Sequence, residues 1–397
     1  MHAIADGGML IQKMKVLRGA PDLVNHRFTP IGVGAGVRHG LVVAAFTVLS
    51  WVNAGCADVA LQGIREFFPT NGQPRFPACR LLEVSNGVFY GTSLAGGTNG
   101  RGAVFKITAA GELTVLHSFT ASEAANGADG GLVWGDDGNL YGSTPDGGEF
   151  GSGSVFRVTP DGAVTTTHSF GGGGSASTNG LQPIGPLEKG DDGALYGTTS
   201  HGGAAGYGTV FRITTNEVFT RLASFQGTNG AHPWSGLMRA SDGNFYGMTY
   251  GLLSAADHDG SIFKFSTNGE LSALVRFDGA NGSSPQSARL VQGADGNFYG
   301  ATKLGGPFYR GTVFRTTPDG TLTTLHSFDG TNGAFPQRLT FGSDGDLYGL
   351  ASHRVENGNL TNGALFKITT NGLLTMLACF NGTNAMHPTA DLTMGSD

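Results

Sequence analysis

The sequence has few charged residues, few cysteines and no long apolar segment. Asp, Glu, Lys and Arg make up 14% of its 397 residues, whereas about 25% is typical of globular domains. The net charge of −6 leaves no basic surplus, so nucleic acid is not an expected partner because its binding sites are basic. Hydrophobic residues reach 39%, which argues against disorder. The composition therefore indicates a folded protein with an unusually neutral surface.

The longest apolar run covers residues 41–52 and is too short to cross a bilayer. It follows Arg38 and precedes small residues, a pattern typical of a signal peptide. We expect cleavage after Ala57, so that residues 1–57 form an N-terminal extension with a signal peptide. The protein is then secreted, extracellular or held at the cell surface, without a transmembrane segment.

The chain has only three cysteines. Cys56 lies next to the predicted cleavage site, and a lipoprotein that carries its lipid on this residue is the alternative to simple secretion. Cys79 and Cys379 remain after cleavage and lie near opposite ends of the mature chain. Export would permit a disulfide between them, but isolated cysteines among small residues are more often buried thiols. We favour the buried thiols.

Glycine is abundant instead, with 68 residues, and it belongs to a repeat. Six copies of a segment that reads about Asp-Gly-x-Leu-Tyr-Gly-Thr-Thr, then Gly-Thr-Val-Phe-Arg-Ile-Thr, then Leu-Thr-x-Leu-His-Ser-Phe follow one another from residue 77 onward. Their central phenylalanines recur at intervals of 51–55 residues, which is typical of an array of identical supersecondary units. These phenylalanines are Phe105, Phe156, Phe211, Phe263, Phe314 and Phe366.

Each copy holds four short β-prone runs joined by Asp-Gly or Asn-Gly pairs, and no run has a helical period. Asp-Gly between β-prone runs predicts a two-residue hairpin of type I′. Four antiparallel strands repeated at this period predict an all-β protein, a β-propeller over residues 58–397. Partial copies at 61–68 and 390–395 favour a seven-bladed ring whose last blade is incomplete at the C-terminus. Six blades with a redundant strand pair are the alternative.

Several positions repeat with the blades and are predicted to be structural. The tyrosine of each Tyr-Gly pair and the phenylalanines are expected to fill the wedges between blades, and the glycine to let neighbouring sheets approach. A cation after each Val-Phe pair is expected to pair with nearby polar groups or to extend to the outer surface. Three histidines before Ser-Phe lie on the last strand of a blade, where they cannot converge on a metal. They are His117, His168 and His326.

The segment from Asp137 to Gly162 resembles the bacterial choice-of-anchor tandem repeat called GloVer, and the resemblance extends over about residues 61–397. It implies an exported bacterial protein that is tethered by one of several C-terminal sorting devices. No such device follows the sixth copy, as an incomplete C-terminus would explain. The resemblance implies location and architecture, and it supplies no catalytic residues.

Functional residues are expected where the copies differ, which is mainly the loop between the second and third strands. Carboxylates and imidazoles on these loops can bind a cation or act as acid and base. No catalytic motif, metal site or cofactor-binding motif is recognisable. The candidate ligand-binding residues are Asp146, His201, Asp257, His258, Asp259, His353 and Arg354.

The sequence therefore favours a monomeric binding or adhesion module for a polysaccharide or a surface protein, without a cofactor. An extracellular lyase or glycosidase that uses the divergent loops is one alternative. A structural component of the cell surface is another.

Overall fold

The protein is described by a computed structural model in which no described residue is helical. The described residues are 9–10, 65–66, 72–77, 80–85, 87–124, 126–128, 130–173, 177–251, 259–285, 289–356, 359–380 and 392. The predicted signal peptide, Cys56 and Cys79 lie outside them, and so do Asp257 and His258. Within these ranges no helix is long and apolar enough to cross a membrane.

Six sheets of four antiparallel strands form the blades of a ring, which confirms the predicted propeller. Each blade runs in chain order from an inner to an outer strand, since the first strands of neighbouring blades contact each other. Blade 6 carries one additional short strand. Of the partial copies, only β2 (Arg65–Glu66), paired with β1 (Met9–Leu10), is described as a strand. Before blade 1, β3 (Pro74–Arg75) pairs with β6 (Ala95–Gly96).

The first three blades are built as follows. Blade 1 contains β4 (Leu82–Ser85), β5 (Val88–Thr92), β7 (Ala103–Thr108) and β8 (Leu113–Ser118); blade 2 contains β9 (Leu132–Trp134), β10 (Leu140–Thr144), β11 (Ser154–Val158) and β12 (Val164–Ser169); blade 3 contains β13 (Glu188–Lys189), β14 (Leu195–Thr199), β15 (Thr209–Ile213) and β16 (Phe219–Ser224).

The remaining blades repeat the plan. Blade 4 contains β17 (Met238–Arg239), β18 (Phe245–Thr249), β19 (Ser261–Phe265) and β20 (Leu271–Arg276); blade 5 contains β21 (Val291–Gln292), β22 (Phe298–Thr302), β23 (Thr312–Thr316) and β24 (Leu322–Ser327); blade 6 contains β25 (Ala334–Phe341), β26 (Leu347–Glu356), the extra β27 (Asn359–Thr361), β28 (Ala364–Ile368) and β29 (Leu374–Cys379).

The Asp-Gly turns differ from the predicted type I′. In blade 2, Gly138 N–H donates to Gly135 O and Gly135 N–H donates to Asn139 O. Gly138 has a positive φ of 77° while Asp137 does not. This is a type I turn followed by a left-handed glycine, a three-residue hairpin loop. The prediction was wrong because the residue before the aspartate also belongs to the loop, so only the glycine needs a positive φ.

Each aspartate of these turns also anchors the blade. Tyr141 donates its hydroxyl hydrogen to Asp137 Oδ2 over 2.8 Å, and the equivalent bond recurs in blades 3 to 6. In blade 3, Arg212 binds the same carboxylate, Asp192, at 2.6 Å. Lys264 and Lys367 pair with their turn aspartates in the same way. The structural role predicted for these cations is confirmed at these positions.

The wedges between blades hold the predicted aromatic core. Tyr141, Tyr246 and Tyr299 are at most 1% exposed, and the six repeated phenylalanines are fully or almost fully buried. The glycine after each tyrosine has a different role from the predicted one. A Cβ on Gly300 would lie 2.5 Å from Cζ of Phe314, its direct partner on the adjacent strand of the same sheet. The glycine therefore makes room for a ring of its own blade, not for the neighbouring sheet.

Cys379, on the outer strand of blade 6, is disulfide-bonded. This corrects the prediction that it is a free buried thiol. The other two cysteines of the chain lie outside the described residues.

Glu217 lies in the turn between the third and fourth strands of blade 3, at a position with a left-handed backbone. It has a φ of 66° where the other five blades place a glycine, for example Gly111, Gly162 and Gly269. A left-handed conformation costs a residue with a Cβ about 1–2 kcal/mol. Its carboxylate is 3.6 Å from Arg157 of blade 2, and an exposed ion pair of this kind contributes less than about 1 kcal/mol.

We therefore expect Glu217→Gly to raise the free energy of unfolding by about 1 kcal/mol. Glu217→Ala is the matched control, since it removes the ion pair and keeps the strain. Chemical unfolding monitored by fluorescence should rank the glycine variant above the wild type and the alanine variant at or below it. Equal stability of the two variants would contradict the strain at this position.

Candidate functional site

One face of the ring carries the loops in which the repeats differ. We call the loops between the second and third strands the rim loops, and the segments that lead from one blade to the next the crossing segments. The two meet at the same end of the sheets, as the backbone bridges Leu181 to His201 and Ser283 to Leu304 show. The hairpin turns lie at the other end. We call the end with the rim loops the loop face.

Asp146 is held within its own surroundings. Its carboxylate accepts hydrogen bonds from the backbone N–H of Asn126, at 3.1 Å, and from the side-chain amide of the same residue. This fixes the rim loop of blade 2 to the crossing segment before it. The residue therefore acts as a clamp between two segments.

His201 is the predicted candidate that the structure joins to another imidazole. Its ring lies 4.7 Å from that of His232, centroid to centroid, across the boundary between blades 3 and 4. Tyr207 packs edge-on against His232 at 5.7 Å. His232 has a φ of 53° just before Pro233, a conformation that recurs at this position of the other crossing segments, at Gln182, Ser284 and Phe335.

The hydrogen-bond partners assign the tautomers of both imidazoles. Ser200 donates its hydroxyl hydrogen to the carbonyl of Gln182, so its oxygen accepts a hydrogen from Nδ1 of His201 at 2.8 Å. Nδ1 of His232 is 2.8 Å from the carbonyl oxygen of Ser200 and must also be a donor. Both Nε2 atoms are then acceptors when the rings are neutral. Neither Nε2 atom is among the side-chain atoms of the described chain that are buried without a hydrogen-bond partner.

Burial lowers the pKa of His201 from its ordinary value, and the neighbouring charge of His232 lowers it further. The ring is therefore neutral at pH 7, because its ordinary pKa of about 6.5 is already below that pH. The neutral ring of His201 presents an acceptor without attracting anions.

Trp234 and Tyr250 lie beside this pair. Their rings stack with centroids 5.8 Å apart at an angle of 30°, and the indole of Trp234 is 37% exposed. Two backbone contacts hold them there: Tyr250 N–H donates to His232 O over 2.9 Å, and Pro233 bridges to Thr249. The described loop face thus has an aromatic platform with two imidazole acceptors next to it, which we call the platform site.

The other predicted residues lie elsewhere on the ring. In blade 6, Nδ1 of His353 forms a hydrogen bond with Ser352 Oγ at 3.0 Å, and the ring packs edge-on against Phe335. Arg354 donates to the carbonyl of Thr331 and to Cys379 Sγ. Asp259 lies in blade 4, with its carboxylate over Gly279. The structure places Asp146, His201 and His353 in three different blades, so they do not form one catalytic group.

His232, Trp234 and Tyr250 were not predicted from the sequence. A signal was available in the crossing segments, which read Gln-Pro-Ile at 182–184 and Phe-Pro-Gln at 335–337 but His-Pro-Trp at 232–234. The prediction rested on divergence in the rim loops and did not include the crossing segments.

The three repeated histidines do not converge, as predicted. His117 pairs with Glu123 at 3.0 Å, and His326 contacts the amide of Asn332. His168 stacks on Phe219 at 3.8 Å. Among the described residues no three His, Cys, Asp or Glu side chains gather closely enough to hold a metal ion.

Comparison with solved structures finds distant similarities. A putative 6-phosphogluconolactonase from Bacteroides fragilis NCTC 9343 is 16% identical with a TM-score of 0.53, over 83% of this chain and 89% of that one. A gluconolactonase from Xanthomonas campestris is 16% identical with a TM-score of 0.42, over 69% and 78% of the two chains. An ulvan lyase is 11% identical with a TM-score of 0.48, over 75% and 83%. At these identities the likeness concerns the fold alone.

No curated protein matches the sequence. The model of the Gloeobacter/Verrucomicrobia repeat family, by contrast, matches residues 57–254 and 189–397. These two regions overlap and together include every blade. The chain therefore belongs to the Gloeobacter/Verrucomicrobia repeat family.

Proposed function

We propose that the protein is an exported binding module that holds a polysaccharide at the platform site. The observation that carries this proposal is the partly exposed Trp234, stacked on Tyr250 and flanked by the imidazole pair. A pyranose ring has a face of weakly positive C–H groups and a rim of hydroxyl donors. The first suits the negative face of an indole, and the second suits two Nε2 acceptors.

The surroundings of the site agree with a carbohydrate ligand. Charged residues are scarce in the chain, and the rings of the platform site favour stacking and hydrogen bonding over ion pairing. The Trp234 indole is already packed against Tyr250, so little side-chain freedom remains to be lost on binding. A protein partner would be expected to cover a larger apolar patch than two rings.

Export is part of the proposal. The apolar run at 41–52 is typical of a signal peptide. The disulfide at Cys379 supports it further, because disulfides persist mainly in oxidising compartments. Fractionation of the native host should find the protein outside the cytoplasm and without residues 1–57.

Titration calorimetry with a panel of soluble polysaccharides tests the binding role. We expect at least one polymer to bind, and Trp234→Ala to weaken its binding about 30-fold, the effect of removing about 2 kcal/mol from a stacked aromatic anchor. His353→Ala is the matched control, because it removes an imidazole from the same loop position of blade 6. No binding by the wild type, or equal binding by Trp234→Ala, would refute the proposal.

A carbohydrate-active enzyme is the second candidate. The observation in its favour is the lowered pKa of His201 together with the hydrogen bond from its Nδ1 to Ser200, which leaves Nε2 as the basic nitrogen, since a neutral imidazole can act as a general base. If the polysaccharide that binds is also cleaved, and His201→Ala abolishes cleavage while retaining binding, the enzyme is the better description.

A further inference from the structure

Tyr309 stands where the other rim loops use glycine. The equivalent positions in blades 1 to 3 are Gly100, Gly151 and Gly206, all with a positive φ between 67° and 82°. Tyr309 has a φ of 54°. A Cβ on any of these three glycines would meet no atom within 4 Å. The position therefore points into open space, and the backbone there favours a residue without a side chain.

A tyrosine at this position does not stabilise the fold. Its left-handed backbone is strained for a residue with a Cβ, and its side chain is 77% exposed. Phe308 beside it is 54% exposed, and Leu304 in the same loop is 38% exposed. Single exposed apolar residues are ordinary, but three on one strained loop indicate an interaction site.

This loop continues the platform site along the ring. The platform site lies at the boundary of blades 3 and 4, and the loop belongs to blade 5. Leu304 bridges to Ser283, in the crossing segment that leads from blade 4 to blade 5. Blades 4 and 5 are neighbours in the ring, and at the end with the hairpin turns Ser241 N–H donates to Gln292 Oε1 over 2.8 Å. Exposed aromatic residues of the loop face therefore occur at two neighbouring blades, Trp234 at blade 4 and Tyr309 in blade 5.

The charged residues of this loop indicate the chemical class of the ligand. Lys303 and Arg310 flank the apolar residues at either end and are half-buried. Several cations pair with a carboxylate of the described chain, among them Arg212 and Lys367. Within the same residues the structure pairs neither Lys303 nor Arg310 with a carboxylate. Unpaired cations beside exposed aromatics suit a chain that carries carboxylate or sulfate groups.

We propose that the ligand is an acidic polysaccharide that extends from the platform site to Tyr309, so that several consecutive sugars are bound along blades 3 to 5. This inference rests on the proposed function, since it takes the platform site as one end of the binding surface. Binding through two linked contacts makes affinity rise steeply with chain length.

The test uses the mature protein and size-defined fragments of alginate, polygalacturonate and hyaluronan, from trisaccharide to dodecasaccharide. The wild type should bind dodecasaccharides of at least one of these polymers at least ten times more tightly than trisaccharides. Tyr309→Gly should abolish this gain and leave trisaccharide affinity unchanged. This variant restores the residue of the other repeats, so it should fold at least as stably as the wild type, and thermal unfolding checks this.

The outcomes separate the two proposals. If Trp234→Ala abolishes trisaccharide binding but Tyr309→Gly retains the full gain with length, the platform site stands and its extension to blade 5 is refuted. If Trp234→Ala leaves trisaccharide binding unchanged, the proposed function itself fails. Equally tight binding of neutral cello-oligosaccharides would overturn the acidic ligand. Loss of phosphatidylglycerol vesicle binding in Tyr309→Gly, without any effect on saccharides, would assign the loop to a membrane surface instead.

Discussion

Gly300→Ala is expected to lower the free energy of unfolding by about 3 kcal/mol, at the upper end of the usual cost of overpacking. The added Cβ would lie 2.5 Å from Cζ of Phe314 and 3.1 Å from Cδ2 of Leu290. Phe314 is fully buried and belongs to the core that blades 4 to 6 share, so the ring has no space into which it can move. The backbone at Gly300 is ordinary strand, and alanine would otherwise be tolerated there.

A double-mutant cycle isolates the contact. In a Phe314→Leu background the shorter side chain leaves room beneath position 300, and the same glycine-to-alanine change should cost less than about 1 kcal/mol. Urea unfolding of the four proteins measures both values. An identical cost in the two backgrounds would show that the glycine serves the neighbouring sheet, as first predicted from the sequence, and not the ring of its own blade.

Acidification from pH 7 to pH 4 is expected to destabilise the wild type by about 1–2 kcal/mol through His168 alone, because solvent screening reduces the effect of this half-buried ring. Burial lowers the pKa of this imidazole from 6.5 to about 4, and its Nε2 is buried without a hydrogen-bond partner. Between these two pKa values the unfolded chain binds the proton and the folded protein does not. Stability therefore falls as the pH drops below 6.5, and the loss is complete near the folded pKa of 4.

His168→Phe should remove this part of the pH dependence. A phenyl ring keeps the stacking on Phe219, where the centroids are 3.8 Å apart and the rings are parallel within 2°, and it has no proton to bind. Urea unfolding at pH 7, 5.5 and 4.5 should show the difference between variant and wild type growing as the pH falls. A constant difference at all three pH values would mean that the imidazole is solvated and titrates normally in the folded protein.

The architecture could be predicted from the sequence because its signal is repeated. One copy of about fifty residues with four β-prone runs is ambiguous, but six copies with buried tyrosine and phenylalanine at the same positions require one supersecondary unit. The repetition also predicted a structural role for the cation after each Val-Phe pair, and the pairing of Arg212 with Asp192 confirms it.

The turn type could not be predicted because the Asp-Gly pair is compatible with two loops. Type I′ and type I with a left-handed glycine both place glycine at the second residue of the pair. They differ in whether the preceding residue lies in the loop or the strand. That choice depends on the register between β9 and β10, in which Trp134 opposes Leu140, and the register follows from packing between blades.

The platform site could not be predicted from the sequence for a related reason. His201 and His232 belong to a rim loop of one blade and a crossing segment of the next, and only the angle between blades brings their rings to 4.7 Å. Residues that are unique to one copy carry no repeated signal, so their proximity has to be seen in the structure. Tyr309 was visible in the sequence as a departure from glycine, but the strain that makes it informative is a backbone angle of 54°.

The location of a bound saccharide tests the central claim most directly. A crystal structure of the mature protein with the shortest fragment that binds should show a pyranose ring over the indole of Trp234, with sugar hydroxyls within hydrogen-bonding distance of Nε2 of His201 and of His232. A saccharide bound at the end that carries the Asp-Gly turns, or in the central channel away from these three side chains, would contradict the account.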